Sequence, residues 1–256
     1  MNFNLPFLPE RTDKPRVTGV SMMTDKGLSV RETESFCEGI FPYTDFVKMA
    51  FGTSILIPSL ESKLNIYKSA EVTPVFGGTL FELFFHRKLV DEYRKYLDRY
   101  GMEYVEISEG TISITREEKL SAIREFSKNY KVISQTTGTL HDEHFSFDKW
   151  TELASEELAA GASMVIIKES EQMPVYGKDG LARYIHENEG KNISPQQLLW
   201  DSSDKKHQIE LINLFGNNVN LCNIPPEDII SLETKRLGLH SSTLLKLIPP
   251  VTGEED

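Results

Sequence analysis

The sequence predicts an α/β protein built as one (β/α)8 TIM barrel, and three observations carry that prediction. Short apolar or β-branched runs alternate with amphipathic segments from one end of the chain to the other. The strand–helix unit of roughly 30 residues recurs about eight times and leaves little over. Several strands are apolar at consecutive positions, as in Val165-Ile166-Ile167, the pattern of a strand covered on both faces in a parallel sheet. The 256 residues suit one barrel of this kind. A doubly wound open sheet is the main rival, but it would carry a glycine-rich turn after its first strand, and none follows Met22.

In chain order the expected strands are 17–22, 45–50, 72–76, 104–107, 131–135, 164–167, 198–200 and 218–221. The clearest helix is 80–100, where Leu80, Leu83, Phe84, Leu89, Val90, Tyr93 and Leu97 recur at three- and four-residue steps before Gly101. A helix over 115–130 opens on Thr115-Arg116-Glu117-Glu118, the spacing of a capping box. Helices over 145–160 and 207–215 stop at Gly161 and Gly216. No linker or low-complexity tract interrupts the series, so residues 1–256 read as a single domain with an N-terminal extension over 1–15 and a frayed tail over 250–256.

The net charge is −11, which disfavours non-specific binding of nucleic acid or anionic membrane. No run approaches the roughly 20 apolar residues of a membrane helix, and the N-terminus lacks a signal-peptide core. Cys37 and Cys222 stand far apart without metal spacing, which fits a reducing compartment. The expectation is a soluble, cytoplasmic protein; self-association into a homo-oligomer stays open.

A barrel concentrates its chemistry at the C-terminal ends of the strands. Lys48 interrupts an apolar strand and must face solvent, a site, or a structural partner such as Asp45 or Glu106. Glu106 raises the same question, and carboxylates at neighbouring strand ends suit a hard cation such as Mg2+. Gly77-Gly78-Thr79 before a helix is either a tight turn or an oxyanion cradle. Thr53, Ser54 and the segment 217–223 add neutral donors. His141-Asp142-Glu143-His144 lacks the helical spacing of a zinc motif and reads as a solvated loop.

These residues carry a family resemblance. Lys14-Pro15-Arg16, Tyr43-Thr44-Asp45-Phe46-Val47-Lys48 with Gly52-Thr53-Ser54, and Phe76-Gly77-Gly78-Thr79-Leu80-Phe81-Glu82 resemble segments of the phosphosulfolactate synthase family. So do residues 105–112, Gly216-Asn217-Asn218-Val219-Asn220-Leu221 with Asn223-Ile224, and Leu232-Glu233 with Arg236-Leu237-Gly238-Leu239. The resemblance implies a barrel that adds sulfite to phosphoenolpyruvate with Mg2+, giving phosphosulfolactate on the route to coenzyme M. Carried over position by position, it implies catalytic roles for Lys48 and Glu106. Phosphate or substrate contacts would come from Arg16, Thr53, Ser54, Gly77, Gly78, Thr79, Ser108, Asn220 and Asn223. Asp45, Glu82 and Glu106 would be candidates for metal or proton work, and Asp201, at the end of strand seven, is a further candidate metal ligand.

Departures cluster on strands five to eight. Where the family has Glu-Val-Gly-Lys-Lys, this chain has Gln135-Thr136-Thr137-Gly138-Thr139, which removes a carboxylate and the natural proton-donating lysine. Lys168-Glu169-Ser170 and Asp201-Ser202-Ser203 replace the usual ends of strands six and seven, and Cys222 stands for a glycine. Either Lys168 takes over proton delivery from the neighbouring strand, or the barrel has changed its substrate or become a ligand-binding or stress-related protein without turnover. A lysine merely paired with Glu169 is the bland alternative for Lys168, and a Schiff-base lysine is a further one.

Overall fold

Eight parallel strands close into a barrel in strict chain order, β1 to β8. The computed structural model describes residues 3, 5–136, 146–170, 173–187 and 193–248. The order is β1 (Ser21–Asp25), α1 (Val30–Ile40), β2 (Phe46–Met49), α2 (Leu60–Ser69), β3 (Thr73–Phe76), α3 (Gly78–His86), α4 (Val90–Arg99), β4 (Tyr104–Ile107) and α5 (Arg116–Phe126). It continues with β5 (Lys131–Thr136), α6 (Phe147–Ala159), β6 (Ala162–Ile167), α7 (Leu181–Glu187), β7 (Leu198–Asp201), α8 (Lys205–Phe215), β8 (Leu221–Ile224), α9 (Ile229–Arg236) and α10 (Leu244–Leu247). Among the described residues no helix is long and apolar enough to cross a membrane. The His141–His144 loop, Thr137-Gly138-Thr139 and the 250–256 tail lie outside the described residues.

Most boundaries shift by a few residues, and three of the differences bear on the site. The first strand begins at Ser21, because residues before it turn at Gly19 (φ +73°), whose N–H donates to Asn218 O at 2.7 Å. The eighth strand begins at Leu221 and carries Asn223 inside it. The helix expected over 80–100 is two helices. Lys88 adopts φ +58° and Leu89 N–H donates back to Phe84 O at 2.9 Å, the wrap that ends a helix, so α4 restarts at Val90. Leu83 and Leu89 fit one helical period by spacing, but both are substantially exposed at the break. The expected capping box is present: Glu118 N–H donates to Thr115 Oγ1 at 3.2 Å, and Glu118 Oε2 accepts from Thr115 N–H at 2.8 Å.

Two apolar cores follow from the two faces of the sheet. The larger lies between strands and helices and includes Phe76, Phe81, Tyr93, Trp150 and Trp200. The smaller fills the barrel interior with Val20, Met22, Phe46, Val75, Ile133, Met164, Ile166, Leu199 and Cys222. Both cysteines are buried free thiols. Two buried lysines outside the barrel are paired with carboxylates. Lys63 meets Asp25 at 2.6 Å, and Lys119 meets Glu157 at 2.8 Å while donating to Gln135 O at 2.7 Å. Such pairs hold helices on the sheet because removing one partner strands a buried charge.

Candidate functional site

Strand alternation decides which side chains enter the barrel. Following the strand register around the closed sheet, β2, β4, β6 and β8 bring Lys48, Glu106, Ile166 and Cys222 to one level. The odd strands bring Thr24, Gly77, Gln135 and Asp201 to the level above, with Gly77 directly after β3. Above the apolar interior the lining therefore turns polar. A cavity of about 210 Å³ opens at this end, lined by Thr24, Lys48, Ala50, Phe51, Gly77, Gly78, Thr79, Glu82, Glu106, Ser108, Gly110, Thr111, Gln135, Lys168, Asp201 and Asn223.

Its floor is an ion pair. Lys48 Nζ lies 3.1 Å from Glu106 Oε1 and 3.0 Å from Oε2, and the Glu106 side chain is almost wholly buried. Burial disfavours the Lys48 ammonium, but the facing Glu106 carboxylate, helped by Asp201, outweighs it and raises the lysine above its ordinary pKa. On the same level the Cys222 thiol is pushed well up by burial, with Asp201 adding to the effect, so it sits there as a neutral apolar filler. Lys168, just past β6, is exposed at the mouth and has no hydrogen bond or ion pair among the described residues. The alternative pairing with Glu169 is not formed, since Glu169 instead accepts from Val175 N–H at 3.4 Å.

A polar chain crosses the β1–β8–β7 wall. Thr24 Oγ1 donates to Asn223 Oδ1 at 3.2 Å, and Asn223 Nδ2 donates to Asp201 Oδ1 at 2.9 Å. Asn223 achieves this from φ +60°, a left-handed conformation that asparagine tolerates better than most residues. On the opposite wall, Glu82 accepts from the Ser108 hydroxyl, from Gly110 N–H at 2.9 Å and from Thr111 N–H at 2.9 Å. Gly78 opens α3 because a Cβ there would stand 2.2 Å from Ser108 Oγ and 2.8 Å from Glu106 Oε1. Its missing side chain makes room for the protein's own carboxylate and hydroxyl. The first turn of α3 has no side-chain cap, which leaves its N-terminal N–H groups directed toward this end of the barrel.

The structure thus gathers Lys48, Glu106, Lys168, Gly77, Gly78, Thr79, Ser108, Asn223, Glu82 and Asp201 around one cavity, and it places five other expected residues elsewhere. Arg16 and Asp45 pair at 3.0 Å before the start of β2, at the opposite end of the barrel, where Asp45 also accepts from Ser21 N–H. Asn220 sits before β8 at that same end, accepting from Val20 N–H and donating to Gln196 O. Thr53 turns its hydroxyl back to Ala50 O at 2.8 Å, and Ser54 faces an outer groove beside Leu60 and Leu80. Arg16, Asp45 and Asn220, which match the family motifs, lie at the N-terminal ends of their strands, whereas Thr53 and Ser54 follow the C-terminal end of β2 but turn away from the cavity. Asp25, at the end of β1, points outward to Lys63 and Tyr67.

Thr24, Phe51, Thr111 and Gln135 line the cavity without having been expected as site residues. Thr24 was hidden by ending the first strand at 22; extending the alternation by two residues places it inward. Gln135 falls on the inward phase of β5, the same phase as Ile133.

No group of three acidic, histidine or cysteine side chains that could hold a metal exists among the described residues. Asp45 lies at the wrong end, and both Glu82 oxygens are occupied by donors. The two remaining carboxylates fit a cation whose shell is completed by substrate. Glu106 Oε2 is buried against Lys48 Nζ at 3.0 Å with no other partner among the described residues, so a cation there would share Glu106 with the ammonium, and one Asp201 oxygen serves Asn223. Mg2+ commonly uses only one or two carboxylates with substrate oxygens and water.

Comparison with known proteins now bears on this geometry. Phosphonopyruvate hydrolase superposes with a TM-score of 0.55 at 11% identity, covering 89% of each chain. The carboxyl transferase domain of Rhizobium etli pyruvate carboxylase gives 0.60 at 10% identity, covering 89% of this chain and 44% of that one. At such identities the likeness is one of barrel fold alone. The sequence relatives are nearer. The phosphosulfolactate synthase of Bacillus subtilis (strain 168) is 38% identical over 243 residues, 92% of this chain and 96% of its own length. That of Methanothermobacter thermautotrophicus is 34% identical over 248 residues, 93% and 96% respectively. The profile for (2R)-phospho-3-sulfolactate synthase (ComA) matches residues 9–242, a span that contains every residue lining the cavity, and the chain therefore belongs to that family.

Proposed function

We propose that this protein adds sulfite to the methylene carbon of phosphoenolpyruvate. The observation that carries the reading is the convergence of a buried ammonium, Lys48, and a mouth lysine, Lys168, without a partner among the described residues, on one polar cavity in a chain of this family.

The chemistry sets three demands. Two anions must be brought together against their repulsion, charge must be stabilised on the substrate carboxylate as it becomes an aci-carboxylate, and a proton must reach the adjacent carbon. The sulfite sulfur lone pair forms the C–S bond while the C=C π pair moves toward the carboxylate; protonation of the phosphate-bearing carbon completes the addition. Lys48, held protonated by Glu106, supplies fixed positive charge at the cavity floor. Lys168 supplies mobile positive charge and the proton. The N-terminal end of α3 and Thr79 favour the phosphate. Glu106 and Asp201 would hold Mg2+ together with substrate; bound there, it would offset the charge developing on the carboxylate.

Titration calorimetry with phosphoenolpyruvate, with and without Mg2+, tests this; absence of binding under both conditions would defeat it. A second reading, a changed substrate, is favoured by one observation: Gln135 presents an amide to the cavity where the family pattern has a carboxylate. Phosphoenolpyruvate binding without sulfite addition would select that reading.

A further inference from the structure

One turn at the cavity mouth is built against its own conformational preference. Thr53 N–H donates to Ala50 O at 3.0 Å across Phe51 (φ +53°) and Gly52 (φ +103°). Two central residues with positive φ make this a type I′-like turn, whose first central position is ordinarily Asn, Asp or Gly. A phenylalanine there is strained by the contact of its Cβ with the backbone. Among the described residues, three of the four other non-glycine residues with positive φ have local reasons; the fourth, Phe7 (φ +63°) in the N-terminal segment, does not line the cavity. Glu71 and Lys88 end helices, with Val72 N–H donating to Tyr67 O and Leu89 N–H to Phe84 O, and Asn223 has an amide side chain suited to that region. Phe51 closes no helix.

Nor does burial account for it. Phe51 is 66% exposed, so the residue gains little from packing against the protein. Phe51 instead lines the cavity, where every other side chain is polar except that of Ala50 and the glycines have none. Backbone strain without a local structural return collects where a ligand makes the return.

We propose that Phe51 is a specificity-determining residue that covers the carbon side of a bound enol phosphate, shielding its methylene group from water while the anionic groups face Lys48, Lys168 and the end of α3. This deepens the function proposed above and rests on it. Phosphoenolpyruvate has a planar enol–carboxylate part whose methylene is its one apolar edge, with the anionic groups elsewhere, and the cavity has one apolar wall. Exclusion of water there also strengthens the ionic contacts beneath.

The test compares wild-type protein with Phe51→Asn, which suits the turn but removes the ring, and Phe51→Leu, which keeps an apolar cover in the same strained backbone. Melting temperature and affinity for phosphoenolpyruvate and for inorganic phosphate are measured on each. Phe51→Asn is expected to melt about 2 °C higher, to bind phosphoenolpyruvate about tenfold more weakly, and to bind phosphate, which has no carbon to cover, within about twofold of wild type. Phe51→Leu should melt no higher than wild type and keep affinity within about threefold. Unchanged phosphoenolpyruvate affinity in Phe51→Asn, equal weakening toward phosphate, a lower melting temperature in Phe51→Asn, or loss of binding in Phe51→Leu would each overturn the assignment. Wild-type protein that does not bind phosphoenolpyruvate would overturn the proposed function and this inference together, a failure distinguishable because it appears before any substitution.

Discussion

Lys48 and Glu106 stand on the same level of the barrel interior, on β2 and β4, with the ammonium 3.0–3.1 Å from both carboxylate oxygens. Alternate strands fill each interior level, so β3 between them contributes no side chain there. The pair has a defined pH signature. The folded-state pKa of Lys48 is raised, so its contribution to stability is fully present below the ordinary lysine value of 10.5 and is lost only as pH rises through the higher folded value. Urea unfolding measured from pH 7 to 11 should therefore show no loss from this pair until above about pH 10. A Lys48-dependent loss near neutrality would contradict the geometry.

Removing the ammonium leaves Glu106 buried and unpaired. Lys48→Met is expected to cost about 3–5 kcal/mol in urea unfolding. Lys48→Met combined with Glu106→Leu should recover a large part of that, because two apolar side chains replace a buried ion pair at little net cost. Binding of phosphoenolpyruvate should be lost in both, since neither restores the charge. Binding retained in the double variant would remove Lys48 from the site.

Lys168 behaves oppositely. It is exposed and unpaired among the described residues, so Lys168→Ala should change unfolding free energy by no more than about 0.5 kcal/mol. If it delivers the proton, sulfite addition should fall by about 10²–10⁴ in kcat, with phosphoenolpyruvate still bound. Turnover within a few-fold of wild type would reassign the proton to another group.

Glu82 is the residue whose chemistry the sequence misdirects most. A carboxylate one turn into a helix after Gly77-Gly78 suggests a metal ligand, whereas its three donors make it the anchor of residues 108–111. Glu82→Gln keeps the shape but offers one acceptor oxygen to two backbone N–H groups. One of them is left unsatisfied, at about 1–3 kcal/mol. A Glu82→Gln protein of unchanged stability would mean that the loop is held by other contacts.

The barrel itself was legible because its signals are local and repeated: consecutive apolar residues in strands, helical spacing between them, and a length that accommodates one closure. Lys48 and Glu106 were legible for a related reason, since a charge inside an apolar strand has few places to go. Residues flanking strands were harder. Lys168 and Asp45 both adjoin a strand, and only the direction of the chain separates them, with one after its C-terminal end and the other before its N-terminal end. A motif match gives no weight to that distinction, so Arg16, Asp45 and Asn220 were grouped with residues a full strand length away. Phe51 was overlooked because an aromatic residue beside an apolar strand reads as core, and only its backbone angle and exposure reveal otherwise.

The separation of the two ends gives the last prediction. Arg16 donates to Asp45 Oδ1 at 3.0 Å, to Thr12 O at 2.7 Å and to Pro42 O at 3.0 Å, fastening the N-terminal segment beneath β2. Arg16→Ala leaves a nearly buried Asp45 without its counter-ion and should cost about 3–5 kcal/mol. Arg16→Lys should recover only part, because one ammonium cannot reproduce a planar fork serving three acceptors. Asp45 and Ala50 are five residues apart along the strand direction, about 16 Å, so neither substitution reaches the cavity. At temperatures where the variants remain folded, phosphoenolpyruvate affinity should stay within about twofold of wild type. A tenfold loss of affinity with folding intact would return Arg16 to the site and would require a ligand path through the closed apolar interior formed by Val20, Met22 and Phe46.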